Sequence, residues 1–298
     1  MKKILLLLAA AATIALAEPF VIATGGESGN YFAMGKDIAK YCGKIADIEV
    51  AKSTGSIQNL EDMTNKRAEA GIVQVDVLMS MAKNMPRSVN QQSMKVIAGL
   101  HVETIHLLVP NDYKPKQSGF FSRFSAAKPV TSINDLKGIE VVSSGGSLVS
   151  AMALNEFFNL DWTVTSAPDL VKANLPILLV GGVPYKPVET ILATGKYHLV
   201  SIPYESVRAS QPFYTKSDIT YTVNSQPMRV ETVGVQAMLI GKYYRSEARN
   251  LTMEKLASCI DKNIAEMSDD GSTNPNWNNV FENQKLGNLV NWAFFNLK

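Results

Sequence analysis

The chain has 298 residues, with 29 basic and 27 acidic side chains and a net charge of +2. That balance leaves no electrostatic footprint for nucleic acid or anionic lipid, and two distant cysteines with three histidines do not make a zinc site. The length is generous for one hydrophobic core and comfortable for two lobes.

Lys2 and Lys3 precede an almost wholly apolar run from Ile4 to Leu16, too short to span a bilayer comfortably. Ala15-Leu16-Ala17 then gives a small-x-small cleavage pattern. Residues 1–17 therefore read as a secretory signal peptide cut after Ala17, which sends the chain to the periplasm. No cysteine near Ala17 could take a lipid anchor, and without Lys2 and Lys3 the chain is charge-neutral.

Strand-like and helix-like segments then alternate. Phe20 to Thr24 is a short strand, and a helix opens at Ser28 or Gly29 and runs to Tyr41, with Tyr31, Met34 and Ile38 at helical spacing. Ile48 to Lys52 (strand), Ile57 to Lys66 (helix), Ala70 to Val75 (strand) and Asp76 to Asn84 (helix) follow, then strands at Lys95 to Leu100 and Ile105 to Pro110. Asn111 to Pro129 reads as a linker or loop. The rhythm resumes with a helical turn at Ile133 to Leu136, a strand at Ile139 to Val142 and a helix from Leu148 to Phe158. A further helix is possible at Asp169 to Asn174. Ile177 to Val180 and His198 to Ile202 are strands around a helix at Pro187 to Thr194. Thr232 to Ile240 is a strand after a strand-rich stretch, Thr252 to Met267 a helix, and Trp277 to Lys298 an aromatic tail, helical in part. This βαβα order predicts a mostly parallel sheet covered by helices, with ligands beyond the carboxyl ends of the strands.

Catalytic motifs are incomplete. Gly26-Glu27-Ser28-Gly29-Asn30 lacks the last glycine of a nucleophile elbow, Gly29 to Lys36 has the wrong length for a phosphate-binding loop, and Ser80-Met81-Ala82-Lys83 stands without its partner motifs. His101 and His106 lie five apart on a strand and so point to opposite faces, which argues against a shared metal. All three histidines, His198 included, read as structural. An oxidising compartment permits a Cys42–Cys259 disulfide, but the preferred reading is two separate buried thiols. Neither a cofactor nor a metal is expected.

Three small polar turns remain: Thr24 to Gly29, Ser53 to Ser56 and Ser143 to Ser147. Each joins a strand to a helix, where unpaired amides carry partial positive charge and an anion needs no lysine or arginine. For any single turn, helix capping by its hydroxyls is the simpler reading. Three turns in one alternating pattern favour a shared site. Tyr31 could lay an aromatic face against a ligand or belong to the core. Gln74 could hydrogen-bond a ligand, Asp76 could cap the next helix, and Lys52 and Lys186 could pair with a second carboxylate or be solvated.

Ile22-Ala23-Thr24-Gly25-Gly26-Glu27-Ser28-Gly29-Asn30-Tyr31, Ser53-Thr54-Gly55-Ser56-Ile57-Gln58-Asn59-Leu60, Ala70 to Asp76, Ile133 to Gly138 and Val180-Gly181-Gly182-Val183-Pro184 stand in order. Together they resemble the TAXI-type solute receptors of tripartite ATP-independent periplasmic (TRAP) transporters, over about Phe20 to Ile264. The turn Ser143 to Ser147 is shorter than that family's, Asn111 to Pro129 is longer, and the tail from Trp277 is extra. The resemblance implies a type II periplasmic binding protein fold with two lobes joined by a hinge. Lobe I would comprise residues 18–112 with 221–298, and lobe II residues 113–220. It implies a ligand shell of Gly26, Ser28, Tyr31, Thr54, Ser56, Gln74, Ser144, Gly146, Ser147 and Gly182. A monomer would capture a small organic anion, such as glutamate or 2-oxoglutarate, for a permease. Reporting to a sensor kinase is the alternative, and catalysis on the same fold ranks last. In the tail, Trp277, Phe281, Leu289, Trp292 and Phe295 either dock on a lobe or offer an apolar patch to a partner.

Overall fold

The computed structural model describes residues 18–114, 130–167, 169–208, 213–223, 226–282 and 292–296. The leader, most of the Asn111 to Pro129 segment, Leu289 and the side chain of Phe281 lie outside the described residues.

The chain begins with β1 (Phe20–Ala23), α1 (Asn30–Cys42), β2 (Ile48–Ala51), α2 (Ser56–Thr64), β3 (Ala70–Gln74) and α3 (Val75–Asn84). β1 is parallel to both β2 and β3. β3 is buried at every position, as a strand covered on both faces must be. On α1 the apolar positions foreseen at helical spacing, Met34 and Ile38, are fully buried.

β4 (Met94–Pro110) is one strand of 17 residues where the sequence suggests two. Polar His101, Glu103 and Thr104 interrupt its apolar pattern, yet all three are buried. Next come a 3-10 turn at Ile133–Asp135, β5 (Glu140–Ser143), α4 (Ser147–Phe158), β6 (Thr163–Ser166), β7 (Ile177–Gly181), α5 (Lys186–Ala193), β8 (Tyr197–Val200), α6 (Tyr204–Arg208) and β9 (Tyr214–Val223). The helix suggested at Asp169 to Asn174 is a series of turns, and β6 and α6 have no counterpart in the sequence reading. The chain closes with β10 (Gln226–Lys242), α7 (Glu247–Asp269) and α8 (Asn276–Glu282).

The two long strands join the lobes. β4 pairs with β10 up to Thr104, then with β7 from Thr104 to Leu108 and with β8 from Leu107 to Pro110. β10 pairs with β9 as far as Val235, then with β3 from Ala237 to Gly241. β10 therefore carries the β2-β1-β3 group, β4 carries the β7-β5-β6 group, and the two long strands pair with each other between them. One apolar core lies under α1, α7 and α8, around Ile22, Ile72, Leu239 and Ile260. A second lies beside α5, around Leu179, Val188 and Leu199. A third runs through both lobes, from Leu60, Val73 and Leu78 to Val141 and Leu154.

The cysteines overturn the preferred reading of separate thiols. Cys42 on α1 and Cys259 on α7 form a disulfide, with Cα atoms 5.9 Å apart. α7 folds back across α1, so a sequence separation of 217 residues becomes bonding distance. The tail docks on the first lobe. Trp277 is fully buried and donates through Nε1 to Asp37 Oδ2 at 2.9 Å, while Trp292 Nε1 donates to the Met94 carbonyl at 3.1 Å. Phe295 is buried and its N–H bonds the Val96 carbonyl at 2.8 Å.

Candidate functional site

The three polar turns stand at the carboxyl ends of β1, β2 and β5, as foreseen. Their hydroxyls do not cap the helices. α1 starts after Gly29, α2 after Gly55 and α4 after Gly146, each with no side-chain capping bond. The hydroxyls tie strand ends together instead. Thr24 Oγ1 donates to the Ala51 carbonyl at 2.7 Å, Ser53 Oγ to the Thr24 carbonyl at 3.1 Å and Ser143 Oγ to the Leu178 carbonyl at 2.7 Å. Ser147 Oγ accepts from Val180 N at 2.9 Å. Each helix therefore starts on a glycine without a capping side chain, a geometry that can receive an anion, while Gly55 N is held by Ser53 Oγ at 2.9 Å and Leu148 N and Val149 N by the Gly145 and Gly146 carbonyls at 3.2 and 3.1 Å.

The lobes meet where several of the expected residues lie. Gln74 N donates to Ser56 Oγ at 3.0 Å. A Cβ on Gly146, from the other lobe, would stand 3.0 Å from Gln74 Oε1 and 4.0 Å from Ser56 Oγ. A side chain at Gly146 would require the flexible Gln74 amide to give way by a few tenths of an ångström. The Thr54 carbonyl faces Gly145, 3.7 Å from where its Cβ would be, while Thr54 N and Oγ1 both donate to Gln58 Oε1 at 2.9 Å. Thr54, Ser56, Gln74, Gly146 and Ser147 therefore share one locality, with half-buried Ser144 in the same turn. A cavity of about 340 Å³ borders Thr54, Gly145 and Gly146, together with Gln58, Glu61 and Arg67.

Other expected residues fall elsewhere. Gly26 and Ser28 are exposed, and a Cβ on Gly26 would meet nothing within 4 Å. Gly182 lines a different and larger cavity of about 800 Å³, with Asn30, Asn276 and Thr104. Lys52 pairs with Glu27 at 3.0 Å and so joins the first two turns, and Lys186 pairs with Glu189 at 3.5 Å. Tyr31 turns inward. Its hydroxyl donates to Glu103 Oε2 at 2.6 Å, and its ring meets His101 edge-on at 5.9 Å.

Tyr31 belongs to a buried polar seam that the motif reading missed. Neither ring nitrogen of His101 has a hydrogen-bond partner among the described residues, and Nε2 lies 3.7 Å from Glu103 Oε1. Asp76 does not cap α3, whose N-cap is Gln74; it is fully buried inside the first turn, where Oδ1 accepts from Val77 N at 2.8 Å. Its Oδ2 accepts from Tyr214 of β9 at 3.4 Å, which ties α3 to the second lobe. Burial pushes the Asp76 carboxyl up to about 6, against bonds that favour its charged form. Burial first, and then Glu103, lifts the Tyr31 hydroxyl well above the usual tyrosine range. His106, on the other face of β4 against Tyr221, is held down to about 4 by burial. The sequence signal for the seam was the polar pair His101 and Glu103 inside an otherwise apolar stretch. Among the described residues no His, Cys, Asp and Glu group could hold a metal ion, and no helix is long and apolar enough to cross a membrane.

Two α/β lobes on shared antiparallel strands, meeting at glycine turns beyond the carboxyl ends of parallel strands, define a periplasmic-binding-protein-like molecule. The chain belongs to the NMT1-like family, whose model matches residues 22–253. No curated protein matches it. Among solved structures, a protein from Bordetella bronchiseptica RB50 is 14% identical, with 90% of this chain and 78% of that one covered at a TM-score of 0.48. A TctC solute binding protein from Polaromonas is 13% identical, with 89% and 87% covered and a TM-score of 0.45. A putative periplasmic sulfonate-binding protein from Methylobacillus flagellatus KT is 11% identical, with 92% and 78% covered and a TM-score of 0.47.

Proposed function

We propose that this chain is an exported, monomeric receptor that closes its lobes on a small organic anion and presents the closed shape to a TRAP-type permease, in the manner of the TAXI receptors. One observation carries the reading. Three helices start on glycines without a capping side chain, and two of them, α2 and α4, begin facing each other across the lobes, while the nearby hydroxyls are engaged in holding the turns. Such helix starts bind negative charge without a cationic side chain. Membership of a periplasmic-binding-protein-like family supports capture rather than turnover. The Cys42–Cys259 disulfide supports an oxidising compartment, and with it the signal peptide at residues 1–17. Ligand contacts to Ser56 and Gln74 on one side and Ser144 and Gly146 on the other would favour the closed state by differential affinity.

Thermal unfolding against a panel of solutes tests the reading. Glutamate, 2-oxoglutarate or a related acid should raise the melting temperature, since a ligand at a hundred times its Kd adds about 2.7 kcal/mol. Native mass spectrometry of protein taken from cells should show an acid of that class. A shift with neutral sugars or metal cations alone would overturn the organic-anion assignment.

A further inference from the structure

We infer that the acid captured between the lobes is an amino acid, its ammonium group received by the buried carboxylates of Glu103 and Asp76; this rests on the organic-acid reading. Both carboxylates border the locality of Thr54, Ser56, Gln74 and Gly146. The Tyr31 hydroxyl, which donates to Glu103 Oε2 at 2.6 Å, also lies beside Ser56. Ser56 Oγ accepts from Gln74 N at 3.0 Å, and Asp76 follows two residues later. Glu103 and Asp76 also act on each other electrostatically. A helix start that takes a carboxylate thus adjoins two acids that can take an ammonium, and an amino acid carries those two groups on one carbon.

The two acids have no cation of their own. Asp76 is fully buried and Glu103 only 8% exposed, yet no lysine or arginine pairs with either among the described residues. Leaving a buried carboxylate without an opposite charge is costly. Polar atoms with nothing to bind stand around them. Glu103 Oε1 accepts no hydrogen bond among the described residues, and His101 Nε2 is 3.7 Å from it. His101 is fully buried, and neither of its ring nitrogens has a hydrogen-bond partner among the described residues. From the second lobe, fully buried Ser150 of α4 lies beside Asp76 with its Oγ outside hydrogen-bonding geometry. An ammonium has three donors and no acceptor, which matches carboxylate oxygens, an imidazole nitrogen and a serine oxygen. A metal ion is a poorer match, since no His, Cys, Asp and Glu group among the described residues is close enough to hold one. Asp76 meets Tyr214 and Ser150 across the lobe junction, so opening the lobes gives a ligand access to it.

Isothermal titration of the purified protein with two sets of acids tests the proposal: glutamate, 2-oxoglutarate and glutarate, and alanine, pyruvate and propionate. Within each set only the group on the carbon beside the carboxylate changes. The amino acid of a set should bind about tenfold or more tightly than its two companions. Glu103→Gln keeps the side chain's size and should remove most of that margin. It should weaken the amino acid and strengthen the 2-oxo acid, to whose carbonyl an amide can donate. Asp76→Asn removes a buried charge, so the fold should hold, and it should narrow the margin as well. A 2-oxo acid binding as tightly as its amino acid, or a margin intact in both folded variants, would overturn the inference while leaving the organic-acid reading intact. If no acid of either set binds, that reading fails and this one with it.

Discussion

The two lobes hold their cleft-facing turns by different means. In the first, Thr24, Ser53 and Asn59 knit β1, β2 and β3 together at the turns, the Lys52–Glu27 pair crosses outside them, and a disulfide fastens α1 to α7. In the second, Ser143 and Ser147 bond the β7 backbone, and the surface offered across the junction is bare backbone at Gly145 and Gly146. The first lobe is a cross-linked platform, and the second brings a smooth turn against it. Fixed partners on one side thus meet a closely fitting backbone on the other.

The largest loss should follow removal of the cross-link. Cys42→Ser with Cys259→Ser should cost about 2–5 kcal/mol in denaturant unfolding. Unchanged stability would mean that packing under α7 already suffices. Next in size is the effect of the buried carboxylate between the lobes. The folded Asp76 carboxyl sits at about 6 against an ordinary 3.8, so its protonated form is favoured by folding and the stability it contributes at low pH is lost as pH rises from about 4 through 6. Asp76→Asn should therefore gain up to about 3 kcal/mol at pH 7.5. His106 works in the opposite sense. Its folded value of about 4 lies below the ordinary 6.5, so its contribution is lost as pH falls through that interval. Between pH 4.5 and 6 the two oppose each other. The melting temperature of Asp76→Asn should fall more steeply on acidification than that of the unaltered protein, and parallel curves would refute the assignment.

A smaller effect is expected from Gly146→Val. Its side chain would press on Gln74 Oε1, so ligand affinity should drop about tenfold, roughly 1.4 kcal/mol, with thermal stability of the free protein nearly unchanged. Smallest of all is the Lys83–Glu156 ion pair, which joins α3 to α4 across the lobes but is more than half exposed. Lys83→Met should cost less than about 1 kcal/mol, and less again at high salt.

Much of the frame was legible because strands such as Ile177–Gly181 are apolar throughout and helices such as α1 repeat their apolar residues at helical spacing. β4 split in two on paper because polarity at His101 and Glu103 looks like a loop until burial is known. The glycine turns are legible as turns, but the partners of their hydroxyls are not, since a serine before a helix reads the same whether it bonds an amide or a neighbouring strand. The disulfide could not be read because chain distance gives no spatial distance.

The way β4 and β10 span both lobes has a consequence for how the molecule comes into being. β3 finds its neighbour in residues 237–241, and the covalent link waits for Cys259. The N-terminal half cannot settle into its final form alone. One edge of β3 stays unpaired until residues 237–241 are present, so a cut between β4 and β10 should leave the first lobe without its closing strand.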